Sequence, residues 1–449
     1  MASDGNGNRP RWTRRKFLQM VGMAGGSAAV YETMTALGLI NKPEAFAGPP
    51  RVRTASGEGQ TVLILGAGIG GLTTAYELIR AGYKVQILEA QDRAGGRSLT
   101  ARRGTKIHEA APGLEPTVQT CEFDEGLYLN MGPGRLPYHH RRVLHYCQDL
   151  GVPLEVYVMT TEANLFQTPQ AFDGKAMVRR RMMNDTRGYV SELLAKCIRK
   201  KSLDEELDEG DRKKLLSLLQ AFGDLGQAAH GQSCDPYEYC GSTRSGCACG
   251  PPEDPFACDP CDARANPPTV HRACEPTKPL PLAALLDAEF WKHSFYQPAE
   301  YEWQPTLFQP VGGMDQIVHG FLRQVGTTIE YQAEVEKVHL MDDGVEVYYR
   351  DRVTGEQCKK SADYCVSNIP LPVLQKIETN FAPDFQEAVD RGHFDPTCKV
   401  GWQANERFWE KDCSQIYGGI SYIDDLITQI WYPSNDYFSR NGTLTGTYN

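Results

Sequence analysis

The sequence contains no run of roughly 18 or more uncharged apolar residues, the length a helix needs to cross a bilayer, so no membrane-spanning helix is expected. It also lacks an excess of positive charge. Forty-seven lysines and arginines face 57 aspartates and glutamates, a net charge of −10, and so acidic a chain argues against nucleic-acid binding as its main task. No internal repeat is present, and the 43 glycines and 28 prolines are scattered rather than periodic. That distribution excludes collagen-like, coiled-coil and wholly disordered chains. With 449 residues, of which 41% are hydrophobic and 10% aromatic, there is enough apolar material for a large buried core and two or three domains.

The charge is unevenly spread. Six basic and three acidic residues occupy positions 1 to 47, leaving 41 basic against 54 acidic groups in the remainder. Thr13-Arg14-Arg15-Lys16-Phe17-Leu18-Gln19 precedes a weakly apolar stretch from Met20 to Tyr31, and Ala45-Phe46-Ala47 offers a small-x-small cleavage site. This arrangement resembles a bacterial twin-arginine export signal. It implies a periplasmic or secreted protein, delivered by the machinery that exports folded chains and commonly already loaded with a cofactor. The 14 cysteines fit an oxidising address unevenly. Cys121, Cys147, Cys197, Cys358, Cys365, Cys398 and Cys413 are dispersed, whereas Cys234, Cys240, Cys247, Cys249, Cys258, Cys261 and Cys274 crowd into 41 residues. Within the irregular, Pro- and Gly-rich insertion 229–281, disulfides are the favoured reading, with zinc shared by Cys247-x-Cys249 and Cys258-x-x-Cys261 the weaker alternative and no metal assigned.

After a linker at 48–59, the apolar run Thr61 to Leu65 reads as a buried parallel strand, Leu72 to Ala81 as a helix and Lys84 to Leu88 as a second strand closing on Glu89. Together they form one right-handed crossover unit. Residues 141–150 and 188–222 read as helical, as does Gln316 to Gln324. Strands are expected at Thr328 to Gln332, Val335 to Leu340, Gly344 to Arg350 and Ala362 to Ser367, with a hairpin turn at Asp342-Asp343-Gly344. The final residues, Thr443 to Asn449, also read as a strand, and the chain stops within it.

At the first strand-to-helix junction, Gly66-Ala67-Gly68-Ile69-Gly70-Gly71 satisfies the G-x-G-x-x-G pattern. Glycine there permits a tight turn and close backbone approach to a diphosphate at the helix N-terminus. Glu89, 18 residues beyond Gly71, stands where a carboxylate can accept hydrogen bonds from ribose hydroxyls. The following Arg93-Ala94-Gly95-Gly96-Arg97-Ser98 is a second glycine turn carrying a cation. This combination resembles the flavin amine oxidase family, closest to bacterial FAD-dependent L-amino-acid oxidases, and disfavours a nicotinamide dehydrogenase.

The resemblance implies an α/β fold in which a Rossmann-like FAD-binding domain, of the two-dinucleotide-binding type, is interleaved with an α+β substrate-binding domain. The expected division is 59–137 and 305–372 for the flavin domain, 138–304 for a helical substrate region with the Cys-rich insertion, and 373–449 for the rest of the substrate domain. The matches span most of 61–137 and 305–449. Leu129-Asn130-Met131-Gly132-Pro133-Gly134-Arg135-Leu136-Pro137 resembles the family segment that passes the flavin ring and supplies an arginine, here Arg135, to the substrate carboxylate. The family usually carries a larger residue, often methionine, where this chain has Gly134. Phe308 to Asp315 resembles the second flavin segment, Glu334-Val335-Glu336 a strand meeting the adenine through the backbone of Val335, and Ser367-Asn368-Ile369-Pro370-Leu371-Pro372 the strand end that leaves the flavin domain. The implied FAD contacts are Gly66, Gly68, Ile69, Gly70, Gly71, Glu89, Ala90, Gly96, Arg97, Gly132, Pro133, Gly134, Arg135 and Val335.

Thr397-Cys398-Lys399-Val400-Gly401-Trp402, with Arg407-Phe408-Trp409 downstream, resembles the strand bearing the family's active-site lysine, which makes Lys399 its counterpart. A lysine among apolar neighbours is partly desolvated, which lowers its pKa. Tyr448 matches the phenol that joins the arginine in clamping the carboxylate, while Trp431 and Tyr432 read as core or pocket wall. The implied reaction is hydride transfer from the α-carbon of an L-amino acid to flavin N5, giving a 2-oxo acid and ammonia, with dioxygen reoxidising the flavin to yield hydrogen peroxide. A monoamine or polyamine oxidase is the alternative of the same fold, from which Arg135 discriminates, because such substrates lack a carboxylate. The family's C-terminal flavin segment, with its Gly-Glu or Gly-Asp pair, has no counterpart after Tyr448. The chain is therefore expected to be incomplete or completed by a second polypeptide, whether a partner chain or another copy, and a non-catalytic partner subunit is the third reading.

Overall fold

The computed structural model describes residue 50 and residues 57–448 apart from 110–114, 116, 203–206, 228–232, 247–276, 396 and 412–413. The export-signal segment 1–47 lies outside these residues, as do Cys247, Cys249, Cys258, Cys261, Cys274 and Cys413.

Strand β1 (Thr61–Leu65) is buried along its last four residues. A strand covered on both faces has no use for polar alternation, which is why its sequence is continuously apolar. Helix α1 spans Ile69–Arg80, starting three residues before the expected Leu72. Glycine is a poor helix former, but here the helix must open directly from the glycine turn, and Gly68 precedes it with extended backbone angles. Strand β2 (Lys84–Leu88) runs parallel to β1 in full register. Helix α2 (Asp315–Val325) packs on the same face as α1, where Leu72, Ala75, Ile317, Val318 and Phe321 share one apolar core with Leu136 and Tyr146.

The expected strand 328–332 shrinks to β3 (Ile329–Glu330), entered through a 3-10 turn at Gly326–Thr328 and ended by Gln332 at φ 61°. Strands β4 (Ala333–Met341) and β5 (Gly344–Asp351) form the expected hairpin over Asp342-Asp343, with Met341 paired to Gly344. Strand β6 (Gln357–Ala362) pairs with β5. Its mostly polar Gln-Cys-Lys-Lys-Ser-Ala run, lying at a sheet edge, carries little strand signal. Strand β7 (Tyr364–Ser367) follows, so the expected strand 362–367 is divided between two sheets at Asp363. The parallel sheet has the order β3-β2-β1-β7. Its second face, through Leu63, Leu65 and Leu88, packs on Ala333, Val338, Val345 and Val347 of the hairpin.

A six-stranded sheet is assembled from both ends of the remaining chain. Met177–Val178, Leu165–Gln167, Ile420–Ile423 and Gln429–Trp431 lie side by side, followed by β9 (Gly442–Tyr448) and, at the edge, β8 (Lys399–Ala404). The terminal segment is thus a strand, as its sequence suggests, and Lys399 stands opposite Tyr448 in the pairing. Behind this sheet Phe166, Phe290, Phe295, Ile420 and Tyr422 form an aromatic-rich core. A smaller antiparallel sheet places Leu307–Pro310 between Leu136–Pro137 and Leu154–Tyr157.

The helical region expected at 188–222 is two helices, Arg179–Arg199 and Glu209–Gly223. The charged run from Lys200 offers no apolar stripe to bury, and Lys201 turns out of the helix with φ 60°. Asp208 restarts it, its carboxylate accepting from the backbone N–H of Asp211 at 2.7 Å. Among the described part of the Cys-rich insertion, Cys234 and Cys240 form a disulfide. The fully buried Asp185 accepts hydrogen bonds from the Tyr239 hydroxyl (2.6 Å), the Ser245 hydroxyl (2.5 Å) and the Leu280 N–H (2.9 Å). Asp224 receives Ser242 at 2.6 Å and Arg187 at 3.1 Å. The Thr277 N–H donates to the Gly246 carbonyl at 3.1 Å, so the two described stems of the insertion meet beside these carboxylates.

A buried carboxylate with three donors leaves all three unpaired when it is removed. Asp185→Ala is expected to destabilise the protein by about 3 kcal/mol, near 1 kcal/mol for each stranded donor. The measurement is the urea unfolding midpoint, and a midpoint equal to wild type would show that this anchor is dispensable.

Candidate functional site

The β1–α1 turn and the second glycine turn are built against each other. Gly66 takes φ 95° and Gly95 takes φ 100°, conformations that glycine alone adopts readily. The Gly95 N–H donates to the Ala67 carbonyl at 2.8 Å, and Gly68 bridges to Gly95. A Cβ at Gly71 would overlap the Gly66 carbonyl oxygen, so the third glycine of the motif is required by helix-to-strand packing. Ile69, Gly70 and Gly71 open α1, where backbone N–H groups have no partner within the helix. The exposed Arg97 pairs with no carboxylate among the described residues. Glu89, 7% exposed, accepts from the Ala67 N–H at 2.7 Å and from the Gln91 N–H at 2.9 Å. These bonds aim its carboxylate across the turn, past Ala90. The Ala333 N–H donates to the Glu89 carbonyl at 2.9 Å, bringing in β4, whose pairing with β5 slips between Val335 and Lys337.

From there the chain carries the site into a cavity of about 240 Å³. A Cβ at Gly132 would overlap the Arg97 carbonyl oxygen, so Gly132 lies against the second glycine turn, backbone to backbone. Its own carbonyl accepts from Lys399 Nζ at 2.6 Å, and the Asn130 carbonyl accepts from the same nitrogen at 3.1 Å. Burial pulls the Lys399 pKa down to about 8. Arg135, Lys399 and Tyr448, which lie far apart in sequence, all line this cavity, together with Gly132, Pro133 and Gly134. A Cβ at Gly134 would touch nothing within 4 Å, so the small residue there widens the cavity.

Arg135 is half-buried, with its guanidinium carbon 3.3 Å from the centroid of the Trp303 ring. Its Nη2 donates to the backbone carbonyl of Glu302 at 3.4 Å. The Glu302 carboxylate is turned elsewhere, 3.1 Å from His139 Nε2 and 2.8 Å from His140 Nε2. Arg135 therefore has no carboxylate partner among the described residues, and burial lowers its pKa. Tyr448 packs edge-on against Trp431 at 5.4 Å, and its backbone carbonyl accepts from the Thr428 hydroxyl at 2.5 Å. Its ring centroid is 5.2 Å from Lys399 Nζ. Trp431 and Tyr432 are pocket wall. Tyr157 and Trp303 also line the cavity, and neither is identifiable from local sequence. They arrive there because the 154–157 and 307–310 strands pair. Among the described residues, no aspartate or glutamate lines the cavity.

A dinucleotide cradle leading to a desolvated lysine and a cationic, aromatic cavity is the arrangement of a cofactor-dependent oxidoreductase. The family model for flavin containing amine oxidoreductases matches residues 69–448, and the chain belongs to that family. Among its relatives, YobN of Bacillus subtilis (strain 168) is 26% identical over 390 residues, covering 85% of this chain and 71% of that protein. An L-amino-acid oxidase of Vipera ammodytes ammodytes is 25% identical, covering 85% of this chain and 69% of its own. The flavin-dependent L-tryptophan oxidase RebO of Lentzea aerocolonigenes is 25% identical, covering 83% and 71%. A solved putrescine oxidase variant aligns with 87% of this chain and 75% of its own at 17% identity and a TM-score of 0.48.

The residues present fit FAD. Unpaired N–H groups at the α1 terminus and the free Arg97 cation suit a diphosphate, and the buried Glu89 retains lone pairs for ribose hydroxyls. Gly132 and Gly134 allow a matched test with one substitution. Gly132→Ala is expected to lower flavin retention about tenfold or more, because its methyl group forces the Arg97 turn aside, whereas Gly134→Ala, which displaces no protein atom, lowers it less. The ratio of absorbance at the flavin band to that at the protein band reads both, and equal retention would show that the close approach at Gly132 is not needed.

Proposed function

We propose that this protein oxidises an L-amino acid to the 2-oxo acid and ammonia, with hydrogen peroxide formed from dioxygen. The observation that carries the reading is Arg135, a guanidinium held against Trp303 without a carboxylate partner among the described residues, in the cavity that also contains Lys399 and Tyr448. A half-buried guanidinium with no anion beside it is a ready place for a ligand that supplies one. A bidentate carboxylate fits its planar fork, and the Tyr448 hydroxyl is the second donor to it. A polyamine substrate would need an acidic group for its distal ammonium, and none of the described cavity-lining residues is acidic.

Held by the two glycine turns, Glu89 and Arg97, a bound flavin would supply the acceptor for the hydride leaving the α-carbon and the route for its electrons to dioxygen. The chain's own residues orient and deprotonate. Arg135 and Tyr448 fix the carboxylate and thereby the direction of the α-hydrogen. The substrate reaches the cavity as an ammonium, and it must lose one proton to water or a base before its nitrogen lone pair can assist the departure of hydride. Lys399, as a neutral amine, donates two N–H bonds to the Asn130 and Gly132 carbonyls and turns its lone pair to the remaining side. A pKa of about 8 lets it accept that proton, directly or through a water, near neutral pH. Water then adds to the imino carbon and releases ammonia.

Two measurements test this. Arg135→Ala removes two charged hydrogen bonds worth about 3 kcal/mol together, so kcat/KM for L-amino acids is expected to fall about a hundredfold while turnover of simple primary amines stays level. An unchanged ratio of the two activities would overturn the carboxylate clamp. For Lys399 the working form is the unprotonated amine, so kcat/KM is expected to rise with pH through about 8 and to lose that limb in Lys399→Met. A limb that survives the substitution would assign it to another group.

A further inference from the structure

We propose that Asn368 is a diphosphate-binding residue of the flavin site in this chain, its carboxamide donating to the phosphate oxygens held at the N-terminus of α1. The inference rests on the flavin cofactor. Asn368 follows β7 directly, and its backbone N–H donates to the Leu65 carbonyl at 2.8 Å, which extends the parallel pairing of Leu65 with Ser367 by one step. This brings Asn368 to the C-terminal edge of the sheet beside the glycine turn, the side on which open α/β sheets bind ligands.

The side chain then reaches over that turn. A Cβ placed at Gly68 would lie 2.8 Å from Asn368 Nδ2, and one placed at Gly70 would overlap Oδ1. The missing side chains of two of the motif's glycines are thus what give the carboxamide its place, against the first turn of a 12-residue helix whose opening N–H groups lack helical partners. The carboxamide itself forms no hydrogen bond with any described residue, although it is partly buried. Its two N–H donors, unpartnered among the described residues, lie beside Gly68, which itself bridges to Gly95 of the second glycine turn, and are available to an anion at the helix terminus.

The test uses flavin-free protein prepared from wild type, Asn368→Ala and Asn368→Asp, titrated with FAD by flavin fluorescence and with ADP and adenosine by calorimetry. Thermal midpoints are measured with and without FAD. Loss of a hydrogen bond to a charged group predicts about tenfold weaker FAD and ADP binding in Asn368→Ala, with adenosine binding unchanged. Placing a carboxylate beside the phosphates predicts about a hundredfold loss in Asn368→Asp. The flavin-free midpoints of the variants stay at the wild-type value, and only the rise on adding FAD diminishes. Equal or tighter FAD binding in Asn368→Ala, or a fall in the flavin-free midpoint that accounts for the loss, would overturn the proposal by leaving Asn368 as filler of the turn. Wild-type protein that bound neither FAD nor ADP would overturn the cofactor reading itself, a result separate from any difference between variants.

Discussion

The backbone contact between Gly132 and the carbonyl of Arg97 is the constraint on which the site depends. Because Gly132 has no side chain, the segment it belongs to rests directly on the second glycine turn. The Gly132 carbonyl is then free to face Lys399, 2.6 Å away. A cradle for the diphosphate at one end and a desolvated amine at the other are thereby joined through three short stretches of main chain. Main chain is the stiffest material available for holding a nitrogen in place.

The electrostatics follow from what surrounds each cation. Lys399 is desolvated and, among the described residues, has carbonyl oxygens but no carboxylate as hydrogen-bond partners, so its proton is weakly held. Arg135 is stabilised by an indole face, which attracts a guanidinium through the ring quadrupole without neutralising it. The carboxylate that could have neutralised it, Glu302, is occupied by His139 and His140, and only its backbone carbonyl meets Arg135. The two imidazoles thus direct the Glu302 carboxylate to themselves rather than into an ion pair with the guanidinium, while fixing the segment on which it lies.

Helical regularity explains where local reading falls short. Apolar spacing locates β1, β2, α2 and the β4–β5 hairpin within a residue or two, because each buries one continuous apolar stripe or face. It misses the first turn of α1, where glycine is retained for close approach rather than for helix formation. It also merges two helices that separate where the charged run from Lys200 begins, and it overlooks β6, which is mostly polar and lies at an edge. In each case the local pattern is silent because a tertiary neighbour, or the space for a ligand, determines the outcome.

What the sequence determined by itself is the class of chemistry. Two glycine turns with Glu89 and Arg97 between strand and helix specify a dinucleotide site, and the segments around Arg135, Lys399 and Tyr448 are individually distinctive. Their convergence was decided only by the tertiary structure. Residues 135, 399 and 448 share a cavity because β8 pairs with β9, and because the strand after Leu307 holds the 136–137 and 154–157 segments together. Tyr157 and Trp303 carry no local signal, and the segment around Asn368 marks a strand end but not the place of its side chain, since all three positions are set by partners more than a hundred residues away. A pairing register is a property of two segments at once, and no single stretch of sequence contains it.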